Sequence, residues 1–566
     1  MKNSHIILLA AAGLLSASCN FLTEETRVNI EKDQFLNNAQ EAEIVLLGVY
    51  RSLIEEGTYS MNLSFFLNMG TDISQVEGST TENWRIVPTN AFPTTQSQIQ
   101  DTWEALYEGI YRANDFLERV SVKIDTYTEE DQTLATLYIA EARCLRAMYY
   151  FELVRRWNRV PLMTSTAMSY QKPETFIQAE PEEVYEFIES DLKYAISILP
   201  YATDDTYRSS NSYRFSKGAA LGLLTKVYAT WAGWPVLDES KWQAAAETAQ
   251  QLINSGKHDL LDNYETLWEN TCNGIWDPTE SLIEISFYSP TYSGASDPCG
   301  RIGKWNGVDT SQIEGERGSC AGNQKVVLTF STEWKEHDGD LRRDLSVANY
   351  RYGTDFTEGY ALYTQGANET LETALEQDAD PQLEQRNKQS YTPAKWDVEK
   401  YVQSGNYIIN DDKSNVNWYF LRYADVLLLY AEALNEWHQG PTTEAYAAIN
   451  KVRRRGYGNP SNTSVCDLSG LDYTGFQNAV RKERAYELAF EGHRRTDLVR
   501  WGIYYETIQE TYTSLRRLWN WDSNGTYTPN YVVYDYTVKG KSELLPIPQR
   551  EMDLCTQFTQ NPGWGE

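Results

Sequence analysis

Apolar residues recur at three-and-four spacing through most of the chain, the period of one buried helical face. Between about 130 and 157, Leu134, Leu137, Tyr138, Ala142, Leu145, Tyr149 and Leu153 fall on such a face, with Glu141 among them, and Pro161 follows where a breaker belongs. A second helix is predicted over "PEEVYEFIESDLKYAISIL". Pro181 suits its first turn, where the missing N–H costs nothing, and the early glutamates suit the helix dipole.

Two later stretches resemble each other. "ALGLLTKVYATWAG" leads into "ESKWQAAAETAQQLINSG", and "YADVLLLYAEALNE" leads into "TTEAYAAINKVRRRG". Each is a helix with alanines at packing positions, a short loop and a second such helix, the pattern of degenerate tetratricopeptide-like repeats. The predicted architecture is mostly α: about four helical pairs drawn from residues 30–255 and 417–455. Two regions lack the helical period. Residues 58–100 are rich in Thr, Ser, Asn and Gly; residues 257–416 mix short strand-like runs such as "SLIEISFY" with long loops. Loops of that length in a compact protein are functional or disordered, and the many aromatics here argue against disorder.

The N-terminus departs from this pattern. Lys2 precedes an apolar run of about ten residues, Ile6 to Leu15, then Ser16-Ala17-Ser18 and Cys19. The run is too short to cross a bilayer, which takes about 20 residues. It predicts a lipoprotein signal over 1–18, cut before Cys19, whose thiol takes a diacylglycerol; each buried CH₂ contributes about 0.8 kcal/mol to anchoring. Nothing after Leu15 is apolar enough to span a membrane.

Fifty basic against 80 acidic residues give a net charge of −30. That excludes nucleic acid as a partner and disfavours polyanions. Tryptophans number 17 and tyrosines 39, a high content that helix packing must mostly account for, with a surface binding flat apolar faces as the other reading. Six cysteines follow Cys19. They allow 15 complete pairings; Cys144 sits on an apolar helix and reads as a buried thiol, while Cys299 and Cys320 flank a Gly-rich loop and are the first candidates for a disulfide.

Further motifs run the length of the chain: "CNFLTEE", "LRAMYYFELVRRWNRVPLMT", "NWYFLRYADVLLLYAEALNE", "INKVRRRG", "RKERAYELAFEGHRRTDLVRWG", "ELLPIPQREMD" and "QNPGWGE". Together, and in this order, they resemble the SusD/RagB family of Bacteroidetes outer-membrane lipoproteins, over essentially all of residues 19–566, with a signature C-terminal segment at 473–566. Thr496 stands where an aromatic is usual, and Trp564 where tyrosine is commoner. The resemblance implies a surface-anchored, non-catalytic protein that binds glycans and caps a SusC-type TonB-dependent porin, with the helical repeats as scaffold and the two insertions carrying the ligand. The signature motifs read as architecture. Glu483, Glu487, Glu491 and Asp497 lie three or four residues from arginines and are expected to neutralise them along the helix, and the prolines of "ELLPIPQRE" suit an extended tether.

The ligand candidates follow from the chemistry of a sugar, whose C–H face packs on an aromatic plane while its hydroxyls seek polar partners. In the first insertion Trp84 lies among polar residues, with Asp72, Asn83 and Arg85 near it in sequence. In the second, Tyr288, Tyr292 and Trp305 lie among Gly, Ser and Pro, with Asp297 and Arg301 as polar contacts. Trp157, Trp231, Trp242, Trp418 and Trp501 fall in helical segments and read as core. A neutral oligosaccharide or polysaccharide is the expected ligand; a peptide, or a glycoside hydrolase needing only two carboxylates, are the alternatives. No cofactor is expected. Asp338 and Asp340 in "EHDGDLRRD" are the only candidates for a structural Ca²⁺, and they lack the spacing of a calcium loop.

Overall fold

The computed structural model of the protein describes residues 35–77, 84–204, 213–288, 299–310, 319–335, 339–353, 360–363, 388–403, 413–461, 466–518 and 530–565. The longer helices are α1 (Ala39–Arg51), α2 (Ser97–Lys123), α3 (Glu129–Trp157), α4 (Pro181–Ile198), α5 (Lys217–Trp231), α6 (Lys241–Asn254), α7 (Tyr264–Asn273), α8 (Tyr423–His438), α9 (Thr443–Gly456), α10 (Tyr473–Glu487), α11 (Arg494–Arg500) and α12 (Tyr504–Leu518), with the short α13 (Gln549–Leu554) near the C-terminus. Helices α1 to α6 pack successively in pairs, and α8 with α9 forms a fourth pair that docks on α5 and α6. The expected scaffold is therefore present. No helix among the described residues is long and apolar enough to cross a membrane.

Local chemistry sets the helix ends. Thr128 caps α3 by accepting from the Asp131 N–H, and three acids fill the first turn. Pro181 opens α4 inside a capping box made by Glu180 and Glu183. Small residues let helices approach: a Cβ on Gly109 of α2 would lie 2.7 Å from the Tyr149 ring of α3. Trp157, Trp231 and Trp242 are buried in helices as expected; Trp418 is buried too, but it opens a β-strand rather than lying in a helix. Trp501 is half-buried and donates its indole N–H to Glu432. The C-terminal tether carries no regular structure from Leu545 to Pro548 and turns helical at Gln549, the start of α13. The Trp157 indole donates to the Pro546 carbonyl at 2.8 Å, and the Asn561 amide donates to the Trp157 and Leu545 carbonyls. Trp564 stacks on Phe92 at 5.2 Å, a packing role.

Two short antiparallel sheets position the insertions. Strand β1 (Ser74–Val76) pairs with β3 (Gln324–Val326), Ser74 opposite Val326; β2 (Ser281–Ile285) pairs with β4 (Trp418–Arg422), Ser281 opposite Arg422.

The signature segment "RKERAYELAFEGHRRTDLVR" lies inside the protein, and its charges are neutralised mostly from far away. Arg422 bonds Glu280 at 2.6 Å, Glu491 at 2.7 Å and Glu487 at 3.1 Å. Arg455 bonds Glu280 and Glu487, Arg342 bonds Asp340, Glu483 and Glu487, Lys395 bonds Glu491, and Arg453 bonds Glu483. Five cations (Arg342, Lys395, Arg422, Arg453, Arg455) face five carboxylates (Glu280, Asp340, Glu483, Glu487, Glu491). Beside them Lys226, Arg484 and Arg500 face Asp425, Glu432 and Asp497. The expectation of neighbours along one helix is corrected: of these acids only Asp497 takes a local partner, Arg500 three residues on, because the helix ends at Glu487, a turn runs through Gly492 to α11, and the side chains reach into neighbouring elements. Asp340, a calcium candidate, is spent on Arg342; Asp338 lies outside the described residues.

This balance has a pH signature. Burial alone would raise the Glu487 carboxyl, but the charges of Arg455, Arg422 and Arg342 outweigh it and hold the group at about 2, below its ordinary 4.5. Its stabilisation is complete above pH 4.5 and lost as pH falls toward 2. Glu487→Gln leaves buried guanidinium charge uncompensated and should cost about 3–5 kcal/mol at pH 7. In urea unfolding the gap to wild type should narrow across that acid window; a gap that stays constant refutes the assignment. Glu284 behaves oppositely. It is buried with only neutral donors, Ser281 Oγ and Asn417 Nδ2, and burial pushes it up to about 7. The folded state keeps this proton while the unfolded chain loses it, so stability drops as pH rises from 4.5 through 7. Glu284→Gln should match wild type near pH 4 and exceed it in melting temperature above pH 7.

Candidate functional site: an aromatic cluster joining two insertions

The first insertion begins with a single π-helical turn, Asn62–Phe66. Asn62 Nδ2 donates to the Gln98 carbonyl and to Thr102 Oγ1 at the start of α2, which fixes the turn on the scaffold. Phe65 and Phe66 follow and are buried. The β1–β3 pairing then draws the second insertion alongside. Beyond β1 the Glu77 N–H donates to the Asn323 carbonyl, and the Asn323 N–H donates to the Trp305 carbonyl at 2.9 Å.

Trp305 sits within a tight turn, Gly303 to Gly307, pressed against Trp396. Gly303 has φ +77°, and a Cβ there would lie 2.6 Å from Val398 Cγ1; a Cβ on Gly307 would lie 2.5 Å from the Trp396 carbonyl oxygen. Only glycine permits this approach. Trp396 stacks on Trp418 of β4 at 5.4 Å, and its neighbour Lys395 belongs to the buried ion network. The turn is thus positioned from the core outward.

Trp84 and Trp305, expected from separate insertions, meet with ring centroids 5.1 Å apart and planes at 74°. Trp84 stacks on Phe66 at 6.0 Å, and Phe65 meets Trp305 edge-on at 5.9 Å. The phenylalanines form a floor and the half-buried tryptophans a rim. Neither tryptophan stands free in a loop: both pack on the main core, so packing and exposure coexist at each. Two guanidiniums flank the rings. Arg85 lies 4.2 Å from the Trp84 centroid with its Nε donating to the Glu77 carbonyl, and Arg301 lies 5.7 Å from the Trp305 centroid. Arg301 is ion-paired to Glu56 at 2.5 Å, and Lys413 approaches the same carboxylate at 3.6 Å. Burial would raise the Glu56 carboxyl, but Arg301 and Lys413 hold it below the ordinary range.

Other predicted residues fall elsewhere. Both oxygens of Asp72 are held by Arg494, at 2.9 and 2.6 Å, beside a separate polar cavity of about 460 Å³. Its carboxylate serves the junction between the first insertion and α11. Tyr288 is 68% exposed just beyond β2. Asn83, Tyr292 and Asp297 lie outside the described residues, as does Cys19. The expected disulfide is corrected. Cys299 and Cys320 are both buried thiols. Their backbones are tied to different places: the Cys299 carbonyl accepts from Ser60 Oγ, while Cys320 exchanges backbone and side-chain bonds with Thr310. Phe65, Phe66 and Glu56 were not singled out in the sequence, although the adjacent aromatics of "MNLSFFLN", outside any helical period, are the one available signal.

The cluster offers apolar edges and faces ringed by cationic donors. That suits a flat ligand with an apolar face and a polar rim. The two carboxylates bonded into this neighbourhood, Glu56 and Glu77, are both ion-paired to cations, Glu77 through Lys325.

The comparisons with known proteins agree in extent and kind. A family model described as the SusD family matches residues 279–564, and one described as "Starch-binding associating with outer membrane" matches residues 21–229. A SusD-like protein P25 of Formosa agariphila is 26% identical over 98% of this chain and 97% of its own. A crystal structure of a SusD homolog from Bacteroides thetaiotaomicron superposes with a TM-score of 0.91 at 68% identity, covering 96% of this chain and all of that one. A laminarin-binding SusD-like protein superposes with a TM-score of 0.67 at 26% identity, covering 93% of this chain and 100% of its own.

The absence of a bridge predicts that the soluble protein, mapped by mass spectrometry without reduction, yields no peptide linking Cys299 to Cys320, and that dithiothreitol leaves its melting temperature unchanged. Burial pushes the Cys320 thiol up to about 11, so it should resist iodoacetamide at pH 7 until the protein is unfolded.

Proposed function

The chain belongs to the SusD family, and on that premise we propose that it is an outer-membrane lipoprotein, held by acylated Cys19, that captures oligosaccharides at the Trp84–Trp305 cluster and delivers them to a SusC-type TonB-dependent transporter. The observation that carries this reading is the meeting of the two insertions in one ring cluster on a rigid scaffold. The likeness to a laminarin-binding relative supports a glycan as the ligand, and the "starch-binding" description of the matched N-terminal family supports the same class.

The electrostatics favour a neutral chain of sugars. Glu56 already neutralises Arg301, and the net charge of −30 repels polyanions at long range. Catalysis is not part of the reading. A glycosidase needs one carboxyl raised to act as acid, and Glu56 is shifted the other way. Incubation with the bound polysaccharide should release no reducing sugar.

Stacking on one aromatic face contributes roughly 1.5–3 kcal/mol. After ordering costs, two such contacts with a few hydrogen bonds predict dissociation constants on the order of micromolar to millimolar. Calorimetric titration of the soluble form starting after Cys19, against laminarin, starch and an acidic polysaccharide, tests this. A neutral glycan should bind, and Trp305→Ala should weaken it about 10- to 100-fold. Because Trp305 also packs on the core, Arg85→Ala is the companion variant, expected to weaken binding with little change in melting temperature. Full affinity in both variants removes the site from this cluster. Binding of peptides but no glycan overturns the ligand class.

A further inference from the structure

The motif "ELLPIPQREMD" sets α13 beside α2, and between them lies a cavity of about 310 Å³. Trp103, Tyr107 and Tyr111 of α2 line it, with Phe558 from beyond α13; no member of the Trp84 cluster does. Two neutral polar groups of its wall, Tyr107 and Asn114, are already engaged. Tyr107 donates its hydroxyl to the Pro161 carbonyl at 2.8 Å. The Asn114 amide donates to the Met163 carbonyl and its oxygen accepts from Arg146. Two carboxylates complete the lining. Glu104 is ion-paired with Arg550 at 2.6 Å, both of them exposed. Glu551 is half-buried, and its carboxylate makes no hydrogen bond or ion pair among the described residues. Burial and the nearby Glu104 charge raise this carboxyl, against the opposing effect of Arg550. A half-buried carboxylate beside aromatic rings with no direct ion pair, its burial offset only in part by Arg550, is a deficit that a bound cation relieves.

We propose that this cavity receives a basic side chain of a partner protein, with the aliphatic stem between the α2 aromatics and the cationic tip at Glu551. Long basic side chains pair an apolar stem with a charged head, as the wall demands. Arginine fits best, because its planar guanidinium stacks on rings and also pairs with a carboxylate. A sugar fits less well: Trp103 is only 3% exposed, and the Tyr107 and Asn114 groups that would meet hydroxyls are engaged. The net charge of −30 favours approach of a basic surface.

The soluble form starting after Cys19 tests this directly. It would be titrated, by calorimetry and saturation-transfer NMR, with butylguanidinium, with uncharged butylurea of the same shape, and with an acetylated Gly-Gly-Arg-Gly-Gly amide. Butylguanidinium should bind saturably and about tenfold more tightly than butylurea. The peptide should bind at least as well. Glu551→Gln, folded as judged by its melting temperature, should erase the preference for the cation. Tyr111→Ala on the cavity wall should weaken cation and peptide alike, and keeps the test open if the first variant is unstable. Equal binding of the charged and uncharged probes, or wild-type affinity in both variants, overturns the proposal. Exclusion of the peptide also overturns it, since the cavity would then take only a small free cation. Loss of glycan affinity in Glu551→Gln with Trp84 intact would make the cavity a sugar subsite and overturn it too.

Discussion

Charges taken out of water must be matched, and that requirement organises this protein. Arg422 is the hub: its guanidinium is buried and touches three carboxylates. Those partners lie at 280, 487 and 491, and their other cations lie at 342, 395 and 455. A bare charge in such a place costs several kcal/mol, so no member can leave alone. The second insertion, the last helical pair and the C-terminal segment are therefore held in one mutual arrangement. A purely apolar interface of the same size would resist separation but tolerate sliding. Paired charges with fixed hydrogen-bond geometry resist both.

The consequence reaches the surface through a short chain of contacts. Lys395 is locked to Glu491. Its neighbour Trp396 stacks on Trp418 and forms the seat for the Gly303–Gly307 turn. Trp305 lies within that turn, and β1–β3 pairing brings it to Trp84. The proposed site, built from two loops separated by more than two hundred residues, thus borrows its rigidity from the interior. Pre-organisation of this kind lowers the entropy cost of binding, which matters where each contact is weak.

The helices were legible because they repeat a period: α3 and α4 sit where the apolar spacing and Pro181 put them, and both look-alike stretches are helical pairs. Trp84 and Trp305 were legible as aromatics stranded among polar residues. Their meeting was not, because no local pattern encodes a contact between residues 84 and 305. The same limit explains the errors. Arginines and glutamates at helical spacing predict local pairs, yet burial lets Glu487 choose Arg342, Arg422 and Arg455 instead. Cys299 and Cys320 flank one loop in sequence, but their backbones are held by Ser60 and Thr310, and proximity along the chain does not bring their sulfurs together. Asp72 sits near Trp84 in sequence and faces Arg494 in space.

The arrangement also separates two kinds of surface. On the insertions, aromatic rims are flanked by guanidiniums, and Glu56 offsets the charge of Arg301. Such a surface selects by shape and hydrogen-bond direction, which suits a neutral polymer presenting the same face many times. On the scaffold, the proposed cation pocket at Glu551 is small and walled by rings, with one half-buried carboxylate that makes no direct ion pair, a setting for a single charged guest. Repeated weak contacts tolerate variation along a chain, whereas one desolvated charge does not. The helical scaffold, held stiff by its interior, is what allows the two surfaces to keep these different requirements without one distorting the other.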